Sequence, residues 1–189
     1  MITDQFDSPF ELKFLSEAGV FEGYASVFGV TDSVNDKIAP GAFAETLAIA
    51  KKDGRLPPLL WQHDAREPIG AWREMREDAH GLYVKGELFI RDIPLAREAY
   101  KLLRESVVTG LSIGYRARKS HHDDESGTRV LTDVDLLEVS MVTFPANDFA
   151  RVRRVKAQED EAAVLAAAIA ELADIIRLAT PERKHKHDQ

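Results

Sequence analysis

Three residues in this chain are of the types that an acyl-transfer site would need: His63 in PPLLWQHD, Ser112 in TGLSIGYR and Glu138 in VDLLEVSMVTFPAN. A serine hydroxyl is a poor nucleophile until a nearby imidazole takes its proton. The imidazole works best when a third group fixes its tautomer. Each of the three residues interrupts or adjoins an apolar run of the kind a fold brings together. Sequence separation alone leaves blander alternatives open. His63 also reads as a surface residue in a strand-end turn, Ser112 as a small strand residue bonded to backbone, and Glu138 as a carboxylate that faces solvent or pairs. Asp64, Asp133 and Asp135 are rival carboxylates. Gly114, two along from Ser112 on the same strand face, would leave room for another backbone to approach. No GxSxG elbow surrounds the serine, so an α/β-hydrolase receives no support.

Composition narrows the remaining chemistry. The chain has 189 residues, enough for one sizeable core and a terminal appendage. The net charge of −7 gives no general reason to expect nucleic-acid binding. Absence of cysteine removes disulfides, thiolate nucleophiles and cysteine-based metal sites. The N-terminus, MITDQFDSPF, has no apolar signal core, and no 18-residue apolar run exists, so no membrane span is expected. His121 and His122 beside Asp123 and Asp124 make a conceivable metal cluster. Their adjacency in the polar run 120–127 favours a solvated loop instead. His185 and His187 fall in a polar tail that reads as disordered.

The elements that must position these groups are legible as a strand-rich body. Short apolar stretches at 10–15 and 20–30 are broken by glycines, and 31–41 reads as turn and loop. After Pro40-Gly41, the run AFAETLAIAKK predicts a short helix with Phe43 and Leu47 on one face. LLWQHD follows as a brief strand. The stretch from Pro68 to Phe89 predicts a hairpin or meander that turns at 77–81. A second helix is expected over 92–104, with Asp92 as its cap, Pro94 in its first turn and an apolar stripe of Leu95, Ala99, Leu102 and Leu103. Strand alternation then sets Leu111, Ile113 and Tyr115 opposite Ser112, Gly114 and Arg116. In the strand from Val130 to Phe144, it sets Leu136, Glu138 and Ser140 opposite Leu137, Val139 and Met141. The fold class expected is mainly β with two flanking helices, in a closed or partly closed β-barrel.

Residues 156–179 differ in composition. Alanine gives strong helix propensity, and Leu165, Ile169, Leu172 and Ile176 form a narrow apolar seam. The seam suits packing on the body or a self-association surface equally well. The division expected is a body over 1–155 and an alanine-rich helical tail over 156–189.

The ordered set FEGYASVFGVTDSVNDKIAPGAF, LLWQHD, PIGAW, GLYVKGEL, GLSIGY and LLEVSMVTFPAN resembles the tailed-bacteriophage prohead, or capsid maturation, serine protease family. That family is similar in fold to the herpesvirus assemblins. Each segment alone is weak, and the six in this order are specific. The resemblance covers roughly 10–155. It implies His63 as the base, Ser112 as the nucleophile and Glu138 in the third position, where the herpesvirus relatives have a second histidine. It also implies a serine endopeptidase that cleaves the scaffolding region of the major capsid protein, and itself, inside the assembling prohead in the host bacterial cytoplasm. Implied partners are the major capsid protein with its scaffolding region and other copies of this chain, without nucleic acid or membrane. The chemistry needs no cofactor. The loop GVTDSVNDKIAPGAF would close the substrate cleft, and the helical tail would serve assembly or targeting. A catalytically inactive capsid-assembly or scaffolding protein is the opposing expectation, and a different hydrolase such as an esterase is a third.

Overall fold

The computed structural model describes residues 19–154. The apolar stretch expected at 10–15 and the alanine-rich helix expected at 156–179 lie outside the described residues. Eight strands and two helices follow in the order β1 (Val20–Val27), β2 (Asp36–Ile38), α1 (Ala44–Asp53), β3 (Leu59–Trp61), β4 (Asp64–Glu77), β5 (Gly81–Leu88), α2 (Pro94–Arg104), β6 (Gly110–His122), β7 (Arg129–Val142) and β8 (Val152–Arg154). The architecture is mainly β with flanking helices, as the sequence predicts.

Strand β7 organises the sheet. Along one edge it pairs antiparallel with β6, from Gly110 opposite Val142 to His122 opposite Arg129. Its other edge is shared by two short parallel partners, β2 against 129–131 and β3 against 139–141. From β3 the sheet continues through β4, β5 and β1 to β8. The curl then returns to β6 by a short bridge. Gly110 pairs with Arg151, Leu111 N–H donates to the Ala150 carbonyl, and Val152 N–H donates to that of Thr109. The result is a partly closed barrel whose seam is only a few residues long.

Its interior is filled by Phe21, Leu59, Ile69, Trp72, Leu82, Val84, Leu111, Leu131, Val139 and Met141, all buried. Removing such side chains from water stabilises the fold by about 1.5–3 kcal/mol each. Phe21 meets Trp72 edge-on at 5.4 Å between centroids. Helix α1 plugs one side, with Phe43 fully buried at its start. Helix α2 lays Ala96, Ala99 and Leu103 on the barrel, with Leu95 and Leu102 flanking them half-buried.

Several expectations are corrected here. The cap of α2 is Ile93, which makes no side-chain cap bond, and Asp92 falls in the preceding turn. The segment 31–41 contains a strand, β2, too short to show a period. Strand β6 runs on through His122, because Ser120, His121 and His122 find partners on β7, and the polar loop shrinks to 123–128. The largest correction concerns β7. Gly114 pairs with Glu138 but Tyr115 pairs with Leu136, leaving Leu137 as an inserted residue. This bulge shifts the side-chain phase by one. Leu136 therefore joins Val139 and Met141 in the core, while Leu137 is exposed. Strict alternation had set Leu136 beside Glu138 on the opposite face. The Leu136 N–H released at the bulge donates to Thr46 Oγ1 of α1 at 3.2 Å, so no buried donor is stranded.

Candidate active site

His63 stands in the tight turn between β3 and β4, where Trp61 pairs with Asp64. Both central residues, Gln62 and His63, have left-handed backbone, with φ of 51° and 62°. Two successive positive φ values are the hallmark of the hairpin turn that normally uses Asn-Gly. A residue with a β-carbon loses roughly 1–2 kcal/mol in that conformation. The turn is held against the end of β7. Gln62 N–H donates to the Met141 carbonyl, and Gln62 Nε2 donates to Thr143 Oγ1 at 2.9 Å. In return Thr143 N–H donates to Gln62 Oε1, and His63 N–H donates to Ser140 Oγ at 3.1 Å.

Ser112 and Glu138 arrive from β6 and β7. Ser112 pairs with Ser140, and Gly114 pairs with Glu138, all on the outward face. The bulge at Leu137 lets Leu136 return to the core while Val139 stays there and Glu138 keeps the outward face. His63 Nδ1 lies 2.5 Å from Glu138 Oε1. A carboxylate oxygen can only accept, so the proton of this contact sits on Nδ1, and Nε2 keeps its lone pair when the ring is neutral. Ser140 Oγ donates to the other carboxylate oxygen, Oε2, at 2.7 Å. The hydrogen bond that Nδ1–H donates to Glu138 raises the His63 pKa above its ordinary 6.5, against a smaller opposing effect of burial. The carboxylate side chain is 12% exposed and the imidazole 43%.

His63 and Ser112 line one cavity of about 220 Å³ with Ala25, Asp32, Ile38 and Asn147. Ser112 is 6% exposed, and among the described residues its hydroxyl makes no hydrogen bond to His63. The histidine and the carboxylate are therefore in direct contact, and the serine shares the cleft of the histidine. Catalytic hydrogen bonds often tighten only when substrate is bound. The segment 30–38 forms one wall. There Asp36, 2% exposed, receives Tyr115 Oη at 2.6 Å and two bonds from the Arg129 guanidinium, Nε at 2.7 Å and Nη2 at 2.5 Å. Arg129 holds the Asp36 carboxyl below its ordinary range despite burial. Burial, reinforced by Asp36, pushes the Tyr115 hydroxyl up. Burial also raises Asp32, which caps its own turn by accepting from Val34 and Asp36 N–H groups.

The rival carboxylates have other partners. Asp64 binds Arg66 at 2.7 Å and is held down to about 2, Asp133 pairs with Lys119, and Asp135 binds Arg118. Arg116 is exposed and does not line the cavity. Sequence reasoning missed Ser140, Asp36 and Arg129. Ser140 had a legible signal in the spacing ExS, which sets a hydroxyl two residues from the carboxylate on one strand face. Among the described residues no group of three or more metal-ligating side chains occurs. No helix among them is long and apolar enough to cross a membrane.

The barrel has the fold of a viral capsid-assembly protease. The structure of the bacteriophage T4 capsid assembly protease superposes with a TM-score of 0.55 over 67% of this chain and 82% of that one, at 11% identity. The chain itself belongs to the caudovirus prohead serine protease family, whose model matches residues 9–164. It is 36% identical to the prohead protease of Enterobacteria phage HK97 over 150 residues, which is 77% of this chain and 65% of that protein. It is also 32% identical, over 85% of its length, to 24% of the capsid polyprotein of Pseudomonas phage PAJU2. The chain thus spans about two thirds of the first of these relatives and about a quarter of the second.

Proposed function

We propose that this protein is a serine endopeptidase of capsid maturation, with Ser112 as nucleophile, His63 as general base and Glu138 as the group that orients the imidazole. The observation that carries the reading is the His63 Nδ1 to Glu138 Oε1 contact, made by a histidine that lines the same cavity as Ser112. Membership of the prohead serine protease family supports it. With Nδ1–H committed to Glu138, Nε2 takes the Ser112 proton as the hydroxyl oxygen attacks a peptide carbonyl. The C–N bond then breaks, and the imidazolium gives its proton to the departing amine. Water, deprotonated by the same nitrogen, releases the acyl group and restores the serine hydroxyl. Glu138 keeps accepting the Nδ1–H throughout and stabilises the imidazolium.

The substrate is the scaffolding region of the major capsid protein, with self-cleavage following, inside the prohead in the bacterial cytoplasm. The match to part of a capsid polyprotein supports a working place beside capsid subunits. Copies of this chain associate with one another and with the capsid protein. Residues 1–155 form the protease domain, and 156–189 serve assembly or targeting. The test is intact-mass spectrometry of the cognate capsid precursor co-expressed with this protein or with Ser112→Ala. A discrete loss of an N-terminal segment only with the unsubstituted chain is expected, with kcat/KM in the variant lower by roughly 10⁴-fold or more. No cleavage by either folded protein would replace this reading with an inactive assembly factor.

A further inference from the structure

Ser140 is fully buried on β7, opposite Ser112, and its hydroxyl makes two bonds that the proposed reaction does not require. It accepts from His63 N–H at 3.1 Å and donates to Glu138 Oε2 at 2.7 Å. One oxygen therefore touches the backbone of the base and the side chain of its partner. We infer that Ser140 is a positioning residue that locks the strained turn of His63 to the carboxylate of Glu138. The inference rests on the proposed roles of His63 and Glu138.

The physical need is specific. A turn with two left-handed residues bearing side chains relaxes unless it is over-determined by its surroundings. The Gln62 bonds anchor the first half of this turn to Met141 and Thr143. The second half, which carries the imidazole, is anchored by Ser140. A glutamate side chain likewise has free torsions, and a donor on Oε2 leaves Oε1 directed at Nδ1. A serine suits both tasks because its hydroxyl donates one proton and still accepts. Alanine would remove both bonds without adding volume.

The test compares Ser140→Ala with the unsubstituted full chain by NMR titration of the His63 imidazole and by turnover of a capsid-precursor peptide. Loosening the contact is expected to move the His63 titration down toward 6.5. The kcat is expected to fall about 10- to 100-fold with KM within about twofold, as for a supporting shell that orients a reacting group. In a Glu138→Gln background the same change should cost less than threefold. An unchanged or raised His63 pKa would overturn the inference, as would losses that multiply fully with Glu138→Gln. Should Ser140→Ala fail to fold, Ser140→Cys fills the site with a slightly larger side chain and only a weak donor. A parent-like titration in that variant would overturn the inference equally. The titration needs no turnover, so a protein that proved inactive would sink the proposed function while still deciding the role of Ser140.

Discussion

The carboxylate of Glu138 lies directly over the α-carbon of Gly114, its partner across β6 and β7, so that a β-carbon at 114 would collide with Oε1, Cδ and Cγ of Glu138. Glycine is required here for the space it leaves to a neighbouring side chain. Gly114→Ala is expected to push Glu138 aside and separate it from His63. The tip of a glutamate can move, so the stability loss should be about 1 kcal/mol. Turnover should fall by about 10²-fold, the consequence of misplacing a reacting group by roughly 1 Å. Urea unfolding and steady-state kinetics on one preparation separate the two effects, and a fully active Gly114→Ala would show that Glu138 need not occupy this place.

The second expectation concerns pH. Glu138 holds the His63 pKa above 6.5, and in the proposed mechanism only the neutral ring can accept the Ser112 proton. Activity should therefore be lost as pH falls through a value above 6.5. The stability linkage has the opposite sign. A raised folded-state pKa contributes stability that is fully present below 6.5 and disappears as pH rises through the folded value. Glu138→Gln removes the negative charge from the acceptor facing the ring, so the acid limb should move down from its place above 6.5. The rate at the new plateau should be lower by roughly 10²- to 10⁴-fold. A pH profile of kcat/KM for both proteins checks this, and an acid limb that does not move would remove Glu138 from its role.

What the sequence discloses and what it hides have physical causes. Helix α2 is legible because its apolar residues recur at helical spacing after Pro94, and β6 because Leu111, Ser112 and Ile113 alternate cleanly. The phase of β7 is not legible, since one inserted residue at Leu137 turns the apolar run LLEV into a core pair flanking an outward glutamate. No local pattern announces a bulge whose freed amide is satisfied by Thr46, 90 residues earlier in the chain. His63, Ser112 and Glu138 were nameable as chemistry-bearing types. That His63 sits in a left-handed turn was hidden, because Gln-His is a poor sequence for it and tertiary bonds to β7 override the local preference.

The last expectation concerns the wall of the cleft. Asp36 is buried at 2% exposure, and its charge is held by Arg129, whose side chain is 43% exposed, and by Tyr115. Removing one partner of such a pair strands a charge away from water, which usually costs 3–5 kcal/mol. Arg129→Ala should sit at the low end, about 3 kcal/mol, because the Arg129 side chain is itself largely in contact with water. Asp36→Asn should cost less, and the double variant should recover part of the loss, since the stranded charge is gone. The pH sign follows from the depressed Asp36 pKa. Its stabilisation is present above the ordinary 3.8 and is lost as pH falls through the folded value below it. Arg129→Ala should therefore be less sensitive than the parent to acid below 3.8. Thermal melts of the four proteins between neutral and acid pH test this, and strictly additive losses would show that Asp36 and Arg129 do not act as a pair.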